Sequence, residues 1–206
     1  ISSNSFYLSK LLPNLSRVGP VSVTAKVNGK GVTLDELDVR MDGMVNAIEV
    51  NNYLYTNLMI NGEIRKKVFK GDLISADPNA DFDFDGTVDF NYKVPKMDFI
   101  STVNNIDLEK THLSTPQLNG KVSSQILINL SGDDVDNLTG QVNFDNTIYQ
   151  TNEKEYKLST FNLELDQANP FKIIKLNSNI LNAELKGKYK LSSLSNAFTQ
   201  YLNSYF

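Results

Sequence analysis

The run Ala80-Asp81-Phe82-Asp83-Phe84-Asp85-Gly86-Thr87-Val88-Asp89-Phe90 sets four carboxylates at odd positions, and carboxylates so spaced can bind a hard cation or share a catalytic proton. Its Asp-x-Asp-x-Asp-Gly core matches the opening of a calcium loop. With Asp81 as first ligand, Gly86 takes the required sixth position, but the twelfth residue is Tyr92, where a bidentate Glu must close the shell. No helical pattern flanks the run, so no metal site is expected. Nor is catalysis, because same-face residues of a strand stand about 7 Å apart and solvated carboxylates at that distance do not share a proton. A second acidic group, Asp133, Asp134 and Asp136, lies in a turn and offers oxygen ligands for a weak cation only. The single histidine, His112, sits in the polar stretch Glu109-Lys110-Thr111-His112-Leu113. The sequence contains no Gly-x-Ser-x-Gly elbow, P-loop or dinucleotide fingerprint. Neither an enzyme nor a cofactor is expected.

The elements that carry these residues follow from the same run. Phe82, Phe84, Gly86, Val88 and Phe90 form one series and Asp81, Asp83, Asp85, Thr87 and Asp89 the other, a period of two that places aromatics on one face of a β-strand and carboxylates on the opposite face. The alternation recurs in Val21, Val23, Ala25, Val27, in Leu58, Ile60, Gly62, Ile64, in Val122, Ser124, Ile126, Ile128, Leu130 and in Val142, Phe144, Asn146, Ile148. Turn chemistry such as Asp77-Pro78-Asn79 and Ser131-Gly132-Asp133-Asp134 separates these runs. No ten-to-fifteen-residue helical pattern intervenes, which excludes a parallel βαβ architecture. The expected fold class is all-β, a long antiparallel meander curled into an open, apolar-lined groove with short helices near the two termini.

Six glycines share the pattern apolar-polar-Gly-polar-apolar: Gly62, Gly71, Gly86, Gly120, Gly140 and Gly187. Each falls on the apolar series, where a strand glycine marks a bulge, a bend or the close approach of another group. Their recurrence suggests a sheet built to curl or to leave space along its apolar side, and their irregular spacing excludes a fixed-repeat solenoid.

Two segments depart from the strand pattern. Phe6, Leu8, Leu11, Leu12 and Leu15 have helical spacing limited by Pro13, and Leu194, Ala197, Phe198, Tyr201, Leu202 and Tyr205 follow a helical series that Ser192 or Ser193 could cap. The expected organisation is one β-rich segment over 1–206, with a short helical lead-in over 1–16, antiparallel strands over 17–191 and an amphipathic helix over 192–206. The chain of 206 residues has a net charge of −4, which argues against a nucleic-acid-binding surface. It has no Cys, so disulfides, thiolate metal sites and cysteine nucleophiles are excluded.

The order of Gly71-Asp72-Leu73, the run Asp77 to Phe90, then Asp136-Asn137-Leu138-Thr139-Gly140-Gln141-Val142, and then Leu176 to Gly187 resembles the AsmA/TamB-like proteins of Bacteroidetes-type bacteria, over residues 17–206. The resemblance implies a periplasmic rod whose strands form an apolar-lined groove of the β-taco type. It implies an anchor in the inner membrane and a partner barrel of the BamA type in the outer membrane, both engaged through parts outside this sequence. It also implies conduction of phospholipid between the membranes or support of outer-membrane assembly.

The residues themselves support an apolar path. A continuous row of Phe, Val, Ile and Leu exposed to water is an aggregation hazard, so it must be covered by another sheet or by a ligand. The expected lining is Ile60, Ile64, Phe82, Phe84, Val88, Phe90, Ile126, Ile128, Val142 and Phe144, with phospholipid acyl chains as the occupant. Asp83, Asp85, Asp89 and Gln125 are expected to face water. A β-sandwich adhesin or carbohydrate-binding module of the cell envelope is the alternative. Nine Tyr favour it, and the lack of any Trp for sugar stacking weighs against it.

Overall fold

In a computed structural model the described residues are 2–7, 18–31, 33, 35–114, 119–132, 134–167 and 171–194. They form twelve strands: β1 (Ser2–Tyr7), β2 (Val18–Lys30), β3 (Asp38–Val50), β4 (Tyr53–Arg65), β5 (Val68–Asp77), β6 (Ala80–Asp89), β7 (Lys96–Asp107), β8 (Lys121–Ser131), β9 (Thr139–Gln150), β10 (Glu155–Asp166), β11 (Lys172–Ser178) and β12 (Asn182–Gly187). All twelve lie in one sheet in sequence order, and extensive contacts run only between strands adjacent in sequence. Every pairing is antiparallel. The all-β meander expected from the alternation is what the chain forms.

Tight hairpins set the register. Asn51 and Asn52 join β3 to β4 with φ of 51° and 65°, and Lys66 and Lys67 join β4 to β5 with φ of 48° and 67°. Positive φ at both central residues is the type I′ geometry, whose twist matches that of the flanking strands. Eleven steps of about 4.8 Å give the sheet a contour of about 53 Å along its hydrogen-bonding direction.

Among the described residues there is no second sheet, yet the two faces differ sharply in burial. Along β7 and β8 nearly every residue of the apolar series is buried or half-buried, while its neighbours on the other series are exposed. Of the seven buried apolar residues among those described, Ala25, Leu58, Val103, Leu130 and Leu165 belong to the apolar series. With no covering layer among the described residues, this asymmetry comes from the sheet itself, which is concave on its apolar face and shelters side chains from neighbouring strands there. The core is therefore a lined trough.

One expectation for the termini changes. The helical lead-in expected over 1–16 is corrected at Ser2–Tyr7, which is a strand whose backbone pairs with β2 from Ser2 opposite Thr24 to Tyr7 opposite Pro20. An edge with unpaired backbone groups recruits this stretch, where polar and apolar residues are mixed, and the Leu8 to Leu15 spacing lies outside the described residues. At the other end residues 191–194 are helical, and the rest of the amphipathic series lies outside the described residues.

Candidate functional site

Register converts the alternating strands into rows that run across the sheet. One row passes through Ile60, Leu73, Phe84, Ser101, Ile126, Phe144 and Phe161, each the direct cross-strand partner of the next from β4 to β10. Beside it runs a row of Gly62, Gly71, Gly86, Phe99, Ile128, Val142 and Leu163, and beyond that one of Ile64, Phe69, Val88, Met97, Leu130, Gly140 and Leu165. Phe82 lies on the other flank, between Ser75 and Val103. Nine of the ten expected lining residues thus share one face in four adjacent rows, and all ten are half-buried. Phe90 is the exception in position. It lies in the turn just past β6, its amide donating to the Lys67 carbonyl at 3.0 Å.

The glycine row explains the curl. A Cβ on Gly71 would stand 2.4 Å from the Gly62 Cα, and one on Gly86 would stand 2.3 Å from the Phe99 Cβ. Gly71 also has φ of +154°, a conformation that a side chain disfavours. Adjacent strands therefore close together where side chains would hold them apart, and aromatic rings fill the space above. Phe69 lies over Gly62, and the rings of Phe69 and Phe84 are 6.2 Å apart and those of Phe84 and Phe99 4.8 Å. Of the six glycines with a common pattern, Gly62, Gly71 and Gly86 act together. Gly120, Gly140 and Gly187 sit before or at strand ends.

A polar plug stands at one margin of this face. Asp77 is 1% exposed, and its carboxylate accepts from Tyr53 Oη at 2.6 Å, Asn79 N at 2.9 Å, Thr56 N at 2.9 Å and Thr56 Oγ1 at 3.0 Å. Burial pushes the Asp77 carboxyl up, but these hydrogen bonds outweigh it and hold the group below the usual carboxylate value. Burial first, and then donation to Asp77, raise the Tyr53 phenol. The β7–β8 connection reaches back to the same place. Thr111, fully buried, donates to the Asp107 carbonyl at 2.7 Å and hydrogen-bonds Tyr55, while His112 Nδ1 lies 3.0 Å from the Asn51 carbonyl. The lone histidine is thus a surface group in a structural contact.

The acidic runs build structure. The calcium-loop look-alike is β6, paired on both sides, with Asp81, Asp83 and Asp85 spread along one strand face. Among the described residues no group of three or more His, Cys, Asp or Glu converges on a point. Asp134 caps a 3₁₀ turn over Val135–Asn137 and binds Lys93 Nζ at 2.9 Å. Asp136 accepts from Ser192 N at 2.8 Å and Ser192 Oγ at 3.1 Å, which lowers its carboxyl below the ordinary value and ties the helical turn to the sheet. Asp133 lies outside the described residues.

The reverse face holds a feature that the alternation alone did not suggest. A depression of 970 Å³ runs across it from β2 to β9, lined by Met44, Met59, Ile74, Ile100 and Leu127 together with Asp42, Asp72, Asp83, Asp85 and Asp145, of which Asp83 and Asp85 stand between Ile74 and Ile100. Asp83, Asp85 and Gln125 do face outward as expected, but into this depression; Asp89 is half-buried. Its signal is present as consecutive apolar residues that break the alternation: Leu58-Met59-Ile60, Phe99-Ile100 and Ile126-Leu127-Ile128.

Compared with known proteins, the chain matches no family model, no curated protein and no solved structure. Among the described residues no helix is long and apolar enough to cross a membrane.

Proposed function

We propose that this chain is a segment of a periplasm-spanning bridge whose apolar trough carries phospholipid acyl chains between inner and outer membranes, with a BamA-type barrel as partner at the far end. The carrying observation is the continuity of the apolar rows from β2 to β12, with no second layer among the described residues. Leu163 meets Leu176, and Leu176 meets Ala183, so the path reaches the last strand. Each buried methylene contributes about 0.8 kcal/mol, so a few methylenes hold a chain firmly while a lining without a fixed polar anchor lets it slide. The resemblance to AsmA/TamB-like proteins supports the same reading.

The test is lipid extraction and mass spectrometry of the purified chain. Phospholipid is expected with wild type and with Asp85→Lys, and its loss is expected with Ile128→Asp, because an unpaired charge in an apolar path is strongly disfavoured. Circular dichroism and protease resistance establish that the variants are folded. Absence of lipid from folded wild-type protein overturns the proposal.

A further inference from the structure

We propose that the reverse-face depression is a docking surface for a basic amphipathic α-helix of a partner protein. Its floor is an exposed apolar stripe. Met44, Met59 and Ile74 are direct cross-strand partners in one row and Ile100 and Leu127 in the next, and between these two apolar parts β6 contributes Asp83, opposite Ile74, and Asp85, opposite Ile100. Ile100 is 55% exposed and Met59 48%, an unusual condition for large apolar side chains gathered on one sheet face.

The charge of the lining selects the partner. Five aspartates and no Lys, Arg or His line the depression. Asp72 and Asp85 are direct cross-strand partners, a like-charge pairing that destabilises a sheet, and none of the five aspartates enters an ion pair with a described residue. A cationic partner relieves that repulsion, whereas lipid phosphate would add to it. Ile60, Phe84 and Ile126 border both faces, but the aspartates set this one apart from the lipid trough, and the two proposals stand separately.

The shape selects a helix. The central strands beneath the depression are already paired on both sides, so an added strand has no free backbone groups to meet. A helix satisfies its own backbone and can lie on a sheet face. The apolar stripe spans β3 to β8, five steps of about 4.8 Å or about 24 Å, which is the length of a helix of about 16 residues.

The probe is a synthetic 18-residue Leu/Lys helix, compared with a Leu/Glu helix of identical apolar face, in fluorescence anisotropy with the full chain. The Leu/Lys peptide is expected to bind in a salt-sensitive manner and the Leu/Glu peptide not to bind. The double variant Asp72→Asn/Asp85→Asn is expected to weaken binding by about tenfold or more, while Glu109→Gln/Glu153→Gln, with the same loss of charge elsewhere, leaves it within about twofold. Ile100→Ser is expected to weaken it as well, and hydrogen exchange is expected to show protection in β3 to β8. Failure of the Leu/Lys peptide to bind, or equal losses in the two double variants, overturns the proposal.

Discussion

Replacing Asp77 by Asn keeps the shape of the side chain while removing its charge and one acceptor, and so measures what the polar plug contributes. Four donors converge on the two carboxylate oxygens. An amide offers one oxygen, so two of these donors face an NH₂ group instead. An orphaned buried donor costs about 1–3 kcal/mol, and the remaining bonds lose their charge assistance, so the total is about 3 kcal/mol. For a chain of this size that lowers Tm by about 6–12 °C. The loss must also depend on pH. Because the folded carboxyl lies below its ordinary value, its stabilisation is fully present above the unfolded value of about 3.9 and disappears as pH falls through the folded one. Urea unfolding of both proteins between pH 7 and pH 2.5 is the assay. The gap is expected to be constant down to about pH 5 and to narrow below about pH 4. A gap under 1 kcal/mol at pH 7, or one that persists unchanged at pH 2.5, would refute the assignment of the plug's strength to a buried charge.

Gly86→Ala is expected to cost about 1–3 kcal/mol because its new Cβ meets Phe99, whereas Gly187→Ala, with open space around it, should stay within about 0.5 kcal/mol; paired melting curves check both. Millimolar calcium is expected to leave Tm unchanged, since the aspartates of β6 diverge along an extended strand; a rise abolished by Asp83→Asn would restore the metal loop. Asp136→Ala is expected to remove hydrogen-exchange protection at the Ser192 amide. Because the Asp136 carboxyl is held below its ordinary value, wild type should show the same loss only as the pH falls below about 4.

The strands were legible because each needs only its own residues: the alternation of Phe82 to Phe90 suffices for β6, and it also assigned nine of the lining residues to one face. What spans several strands was not. The row of Gly62, Gly71 and Gly86 exists only through pairing, so three glycines that look alike in sequence to Gly187 stack against one another across the sheet, while a Cβ on Gly187 would meet nothing. Asp77 looked like a turn residue in Asp77-Pro78-Asn79, and nothing local tells that Tyr53 and Thr56, more than twenty positions earlier, donate to it. The apolar stripe of the reverse face was hidden for the same reason, since most strands give it a single residue. Ser2–Tyr7 was misjudged because the pull of an open sheet edge is absent from the local pattern.

Pairing only between sequence neighbours has a consequence for how such a molecule changes over generations. In most folds an inserted hairpin must displace partners already in place, but here a new pair of strands at an end, or between two hairpins, finds its register from its immediate neighbours alone. Its stability is close to a sum of one-strand and one-interface contributions. Length then becomes a freely adjustable quantity, set by how many hairpins are copied, and the rows of the trough extend with it without any residue elsewhere having to change.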